Sequence, residues 1–345
     1  MRLPRRSVLF GAASLAAPAL VRAQGTPPIR IGEINSYTGA APFTLPYRHG
    51  WQLAVEQVNA AGGVLGRRIE MVSRDDAGQP QNALREAAAL LDEQHCDLLA
   101  GGYLSNVGLA LADFAASRKA LFVAGEPLTD ALVWEKGNPF CYRLRPSTYM
   151  QAAMLLPAAA ALPATRWVTV APNYEYGQSA VKWFRQLLSA ARPDVRFVGE
   201  QWPALGRIDA GATAEALAAA RPDAIFNVTF GPDLTAFVRA GNTRGLFENR
   251  AVVSLLTGEP EYLATLGEET PEGWIVTGYP VEQDERPSNR DFVAAYRARF
   301  GEAPRMGSVV GHALITGIAA GIARSGGTDP ARMAESFGGA RFATP

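Results

Sequence analysis

The stretch GGYLSN, residues 101–106, carries the residue types best suited to holding a ligand. Gly101 and Gly102 end an apolar run. Ser105 and Asn106 follow, and Val107, Leu109, Leu111 and Phe114 then recur at helical spacing. A Ser or Asn at such a strand-to-helix junction caps the helix and leaves N–H groups pointing out of the carboxyl edge of a sheet. In open α/β sheets small ligands sit at that edge, and a helix N-terminus attracts a carboxylate. Ser105 therefore suits either a plain cap or a ligand contact. It has no G-x-S-x-G context, which argues against a nucleophile. GGYLSN lacks the third glycine of a dinucleotide fingerprint, and no phosphate-binding P-loop sequence occurs.

Other polar groups invite simpler readings. Asp75 and Asp76 are adjacent, so on a strand they would point to opposite faces, and a loop or helix-cap role is expected. Arg143 and Arg145, two apart, are expected to share a strand face; either an anionic ligand or a lobe-to-lobe pairing would use them, and the pairing is the expectation. His49, His95 and His312 are scattered, and no cysteine–histidine cluster suggests a metal. Trp134, Trp167, Trp183 and Trp202 are assigned to packing. Cys96 and Cys141 are the two cysteines; spacing alone leaves their pairing open.

The elements around these residues alternate strand and helix. IRIGEIN at 29–35 is a strand, SYTGAAPFTLPY at 36–47 a Gly/Pro-rich loop, and the next helix ends at Gly62-Gly63. A second strand spans 67–76, Pro80 starts a helix, and ALFVAGE is a further buried strand. After 148–162, read as a helix, the alternation restarts and runs through WIVTGYP, and three helical stretches close the chain. Strands separated by 10–15-residue helices are the pattern of a parallel sheet. With 345 residues, two lobes are expected.

Composition is that of a soluble globular protein: 48% hydrophobic and 19% charged, with zero formal net charge. No basic patch points to nucleic acid. Arg2, Arg5 and Arg6, the apolar run 8–21 and Val21-Arg22-Ala23 read as an export signal, residues 1–23, cleaved near Ala23. Arg5-Arg6 resembles a twin-arginine signal, and an ordinary secretory leader fits as well. The apolar run is short for a membrane span and no later span is expected, so the mature protein is expected to be soluble and outside the cytoplasm.

The ordered set YTGAAP, HGWQLAVEQVNAAGGVLGRRIEMVSRDDAGQP, GGYLSNVGLALADFA, GNPFCYRLRPS, VAPNYEYGQ, RPDAIFNVTFGPDL and PEGWIVTGYP resembles the type I periplasmic binding proteins of ABC importers, in particular the leucine/isoleucine/valine-binding kind. The resemblance covers nearly all of the mature chain. It implies an α/β fold of two doubly wound, Rossmann-like lobes joined by a multi-strand hinge. Residues 24–146 and 279–345 would form lobe 1, and 147–278 lobe 2. It implies a clamp that closes on a small solute such as a branched-chain amino acid, amide or organic acid and hands it to a membrane permease. Neither an enzyme, a cofactor nor a metal is implied, and a monomer is expected.

The site residues carried over by the resemblance are Ser105 in the first-lobe loop, Thr129 after the next strand, Phe43 over the ligand, Tyr176 and Phe230 from the second lobe, and Glu259 as the acidic partner of an ammonium. A zwitterion needs donors at one end and an anion at the other, and Ser105 and Glu259 supply them. Glu126 departs from the pattern: it is either a second acidic ligand contact or an exposed or structural carboxylate, with the latter expected. Phe43 and Phe230 stand where amino-acid binders often carry tyrosine. These departures leave room for an aromatic acid as ligand. A sensory component that presents its ligand to a membrane receptor would use the same clamp. Relatives continue past a segment like ARFATP into another strand pair, whereas Pro345 ends this sequence; a looser hinge or a shortened product is expected.

Overall fold

A computed structural model describes residues 26–281 and 283–345. The leader, its arginines and the cleavage position lie outside them. The first half comprises β1 (Ile29–Asn35), α1 (Ala41–Ala60), β2 (Ile69–Asp75), α2 (Pro80–Asp92), β3 (Leu98–Gly101), α3 (Ser105–Arg118), β4 (Phe122–Ala124) and β5 (Cys141–Arg143). A 3-10 turn at Asp130–Leu132 precedes β5. The second half comprises α4 (Thr148–Ala161), β6 (Arg166–Val170), α5 (Glu175–Ala191), β7 (Arg196–Gln201), α6 (Ala210–Ala219), β8 (Ala224–Asn227), α7 (Gly231–Thr243), β9 (Ala251–Gly258), α8 (Pro260–Leu266) and β10 (Ile275–Gly278). Helices α9 (Pro287–Phe300), α10 (Met306–Ser325) and α11 (Pro330–Ser336) follow.

Two five-stranded sheets result, ordered β2-β1-β3-β4-β5 and β10-β9-β8-β6-β7, with every named pairing parallel. Parallel strands need crossover helices, and these cover both faces of each sheet. In the first sheet Ile29, Ile31, Leu98 and Val123 pack on α1, α10 and α11, whereas Ile34, Leu99 and Phe122 pack on α2 and α3. In the second, Trp167, Phe226 and Val253 meet α4 and α5, and Val168, Ile225 and Val252 meet α6 and α7. The alternation of neighbours such as Leu98 and Leu99 follows from the two-residue period of a strand.

Several sequence expectations are corrected here. The segment expected as a loop to Tyr47 becomes helical at Ala41, so Phe43 sits on the first turn of α1. Pro42 is harmless at a helix start, where its N–H would lack an intrahelical partner. Pro46 lies inside the helix, and the Thr44 hydroxyl donates to the Ala40 carbonyl, 3.1 Å, near that break. Arg143 ends β5, so Arg145 lies beyond the strand and the two do not share a strand face. Helix α10 is apolar and long enough to span a membrane by composition alone, but more than half of it is buried in the fold. Cys96 and Cys141 are free and buried, and burial pushes their thiols up to about 11 and about 12.

The α1–α10 seam fixes the entrance of the site. Gly50 abuts the Ser308 carbonyl, Gly307 the Phe43 carbonyl and Gly311 the Tyr47 carbonyl, so that a Cβ on any of them would overlap the facing backbone. Gly311→Ala is therefore expected to destabilise the protein by about 1–3 kcal/mol, the usual cost of overpacking. Urea unfolding should register it as a lower midpoint, while alanine at half-buried Gly327, where a Cβ would meet nothing within 4 Å, should leave the midpoint close to wild type.

Candidate functional site

The carboxyl ends of the two sheets face a common cleft, and the loops and helix starts there furnish its walls. Phe43, Tyr103, Leu104, Ser105, Glu126, Leu128 and Arg145 come from the first half and the crossing segment. Tyr174, Tyr176, Phe230, Leu256 and Tyr262 come from the second. The rings form a continuous belt across the cleft: Phe43–Tyr103 centroids are 5.4 Å apart, Tyr103–Phe230 6.4 Å and Phe230–Tyr176 5.7 Å. The inner cavity they enclose measures about 30 Å³, room for little more than one water.

A buried ion triad closes the floor. Arg145 Nη1 donates to Glu126 Oε2 at 2.6 Å, and Arg145 Nη2 to Glu259 Oε1 at 2.5 Å. The side chains are only 7%, 3% and 1% exposed for Arg145, Glu126 and Glu259, so their charges are largely removed from water. One guanidinium faces two carboxylates, and the triad carries one net negative charge when all are ionised. Burial pushes Glu126 up to about 7 against the pull of Arg145. It raises Glu259 too, again opposed by Arg145. Burial works against the Arg145 cation, but the two carboxylates outweigh it and hold that group protonated. Glu126 Oε1, Glu259 Oε2, Arg145 Nε and the Tyr176 hydroxyl are buried without a hydrogen-bond partner. Such atoms are costly unless something completes them.

Most of the residues expected from sequence do gather here. Phe43, Ser105, Glu126, Tyr176 and Phe230 line the cavity, and Glu259 is joined to it through Arg145. Glu126 is not an exposed carboxylate, as expected, but a buried one. Thr129 falls outside the lining: its hydroxyl donates to Glu175 Oε1 at 2.6 Å and accepts from the Ala131 amide, capping the 3-10 turn. Ser105 is not the cap of α3. That position is Leu104, with no side-chain cap bond, and Ser105 Oγ instead accepts from the Thr129 amide at 3.3 Å. Asp75 and Asp76 hold turns: Asp75 accepts from the Tyr37 and Ala77 amides, Asp76 from the Ser36 hydroxyl and the Gly78 amide. Among the described residues no cluster could hold a metal ion. Tyr103, Tyr174 and Tyr262 also line the cavity; their nearness to Ser105, Tyr176 and Glu259 is their signal in the sequence, and only folding shows which tyrosines turn inward.

Helix starts at the cleft share one property. Helices α1, α2, α3, α5 and α7 begin without a side-chain cap. Away from it, Ser147, Asp209 and Asp329 cap α4, α6 and α11, while α9, which buries Phe292 and Tyr296, also lacks a cap. Uncapped starts leave a partial positive charge facing the cleft, although Pro42, Pro80 and Pro232 each remove one donor from the first turns of α1, α2 and α7. A second contact joins the halves: Glu261 of α8 accepts from the Gly307 amide at 2.7 Å and the Met306 amide at 3.2 Å, the first residues of α10. Burial, then Glu259, pushes the Glu261 carboxyl up to about 8.

Two parallel α/β halves meeting over a buried, ring-lined polar site define a two-lobed solute-binding protein. Residues 28–345 match the family model described as periplasmic binding protein, and the chain belongs to that family, the substrate-binding proteins of ABC transporters. The leucine-, isoleucine-, valine-, threonine-, and alanine-binding protein of Pseudomonas aeruginosa is 25% identical over 99% of this chain and 90% of its own length. A solute-binding protein from Rhodopseudomonas palustris in complex with benzoate superposes with a TM-score of 0.82 at 20% identity, covering 92% of this chain and 87% of that one. The branched-chain amino acid substrate-binding protein LivJ of Streptococcus pneumoniae, bound to isoleucine, gives 0.78 at 20% identity, covering 90% and 87%.

The raised carboxyls set the pH response. Glu33, Glu126 and Glu261 lie at about 7, about 7 and about 8, chiefly through burial, against an ordinary value of 4.5. The folded state therefore holds protons that the unfolded chain has released, and this stability is lost as pH rises through 7–8. Buried His312, lowered to about 4, acts in the opposite sense only below its ordinary 6.5. Stability is expected to rise as pH falls from 8 to 6.5, and Glu126→Gln to flatten part of that slope. Urea midpoints at four pH values across this interval would check both.

Proposed function

We propose that the chain is the extracytoplasmic receptor of an ABC importer, with lobes of residues 24–146 plus 279–345 and 147–278, and that it delivers a small solute to a membrane permease. Phe43, Ser105, Glu126, Tyr176, Phe230 and Glu259 are its ligand-binding residues, to which we add Arg145 and Tyr103. The observation that carries the reading is the interlobe triad: Glu126 lines the ring-lined cavity with one buried oxygen lacking a donor, and Glu259, joined to it through Arg145, has another. A solute with an ammonium, amide or hydroxyl supplies those donors and offsets the triad's negative charge. Rings on both sides exclude water, which strengthens each polar contact. The protein binds and releases the solute unchanged, and its place is the periplasm.

An amino acid or similar small amide or organic acid fits this description. An aromatic acid is the second reading, favoured by the ring belt and by the loss of hydroxyls at Phe43 and Phe230. In that case one carboxyl of the triad keeps its proton, which its raised titration favours.

Thermal melts against amino acids, their amides and aromatic acids test the proposal. A true ligand at a hundred times its Kd adds about 2.7 kcal/mol of stability. Tyr176→Phe removes a buried hydroxyl without a partner, so it should leave the unliganded melt unchanged or higher. It should also weaken the ligand by about tenfold, on the order of one hydrogen bond. No shift from any solute with well-folded protein would end the receptor reading.

A further inference from the structure

A second pocket lies between the halves, about 180 Å³ in volume, and shares no lining residue with the ring-lined cavity. Thr129, Asp130 and Glu135 come to it from the first half, and Glu175, Ser179 and Trp183 from α5 of the second. Asp130 is the buried carboxylate of this lining, with its side chain only 4% exposed. Its Oδ2 accepts from the Thr148 hydroxyl at 2.7 Å and the Tyr149 amide at 2.9 Å, whereas Oδ1 has no partner. The Thr148 hydroxyl spends its proton on Asp130, so Ser179, 2.7 Å away, donates to Thr148 and keeps lone pairs for an occupant. One oxygen of Glu175 accepts from the Thr129 hydroxyl at 2.6 Å. The chain's own ammonium already lies at the rim: Lys182 Nζ is 3.2 Å from Glu135 and 4.9 Å from the centre of the Trp183 ring. Trp134 and Tyr149 pack edge-on against Trp183, at 5.8 and 5.0 Å, and hold that wall in place. Arg143, a second cation near Asp130, gives its Nε to the Arg145 carbonyl and its Nη1 to the Thr129 carbonyl.

We propose that this pocket binds a short aliphatic diamine in its doubly protonated form, and that the occupant bridges the two halves. Asp130, Glu135 and Glu175 against Lys182 leave the lining with an excess of negative charge, which a dication neutralises. One ammonium donates to Asp130 Oδ1 and Ser179 Oγ. The methylene stem lies on Trp183, and the second ammonium reaches Glu175 and Glu135 nearer to solvent. The buried end offers acceptors, so it selects a donor and rejects an anion. The start of α5 opposes a cation, but Glu175 in its first turn offsets that end. Among the described residues no cluster could hold a metal ion, and an indole wall favours an organic cation. Because its walls come from both halves, an occupant stabilises the arrangement in which they meet. It thus acts on the clamp from outside the solute cavity, and solute and diamine affect one another's affinity equally. The site stands whatever solute the cleft takes.

Calorimetry with 1,4-diaminobutane at constant ionic strength tests this, with butylamine as the single cation and butan-1-ol as the neutral control. The diamine is expected to bind roughly tenfold more tightly than butylamine, the worth of one further charged hydrogen bond, and butan-1-ol to give no heat. Asp130→Asn keeps an oxygen for Thr148 and Tyr149 but loses the charge, and Glu175→Gln keeps an acceptor for Thr129. Each should weaken the diamine roughly tenfold. Lys182→Met, at an exposed position, removes the competing ammonium and should strengthen the diamine several-fold, a gain that a misfolded variant cannot give. Equal affinity for diamine and butylamine, or wild-type affinity in all three variants, overturns the site. Diamine binding that is lost in Glu126→Gln and kept in Asp130→Asn places the dication in the ring-lined cavity and also overturns it. Silence from the diamine while a solute still shifts the melt overturns the site and leaves the receptor reading standing.

Discussion

Two carboxylates that share one guanidinium out of contact with water are the constraint on which the cleft depends. Arg145 sits where the chain first passes from one sheet to the other, and it reaches a carboxyl from each half. Removing three charges from water is expensive, and the attraction between them repays this only when geometry is good and the remaining lone pairs are completed. Here the geometry is good and the completion is partial. The triad thus holds the halves in register while leaving acceptors exposed to whatever enters. The same group of atoms serves cohesion and recognition.

The backbone contributes an opposing field. Helices that begin at the cleft do so without side-chain caps, while most helices that begin elsewhere are capped by Ser or Asp. Positive helix ends from both halves therefore surround a negative triad. Phe43, Tyr103 and Phe230 line the cavity beside the triad, and their rings keep its dielectric low.

Much of the scaffold was legible in the sequence because buried parallel strands must be apolar throughout. Runs such as those at β3, β4 and β8, closed by Gly or Asn, have few alternatives. The start of α1 was not legible, since Pro42 and Pro46 together look like a loop; the first turn tolerates Pro42, and Pro46 sits inside the helix at the cost of one intrahelical bond. Ser105, Phe43, Tyr176 and Phe230 were reachable through family resemblance. The members of the triad were reachable singly, Glu259 and Glu126 as candidate ligand contacts and Arg145 as a lobe-to-lobe pairing, but their union was not, because they lie far apart in sequence. Thr129 lies outside the cavity lining: its hydroxyl donates to Glu175 of α5 and accepts from the Ala131 amide of the 3-10 turn.

Glu261 has a consequence for movement. Its carboxylate in α8 covers the opening amides of α10, which is anchored to α1. A parting of the halves would hand acid and amides both to solvent, and water would satisfy each nearly as well as they satisfy one another. Such a contact would act as a detent, a shallow notch that yields under thermal agitation.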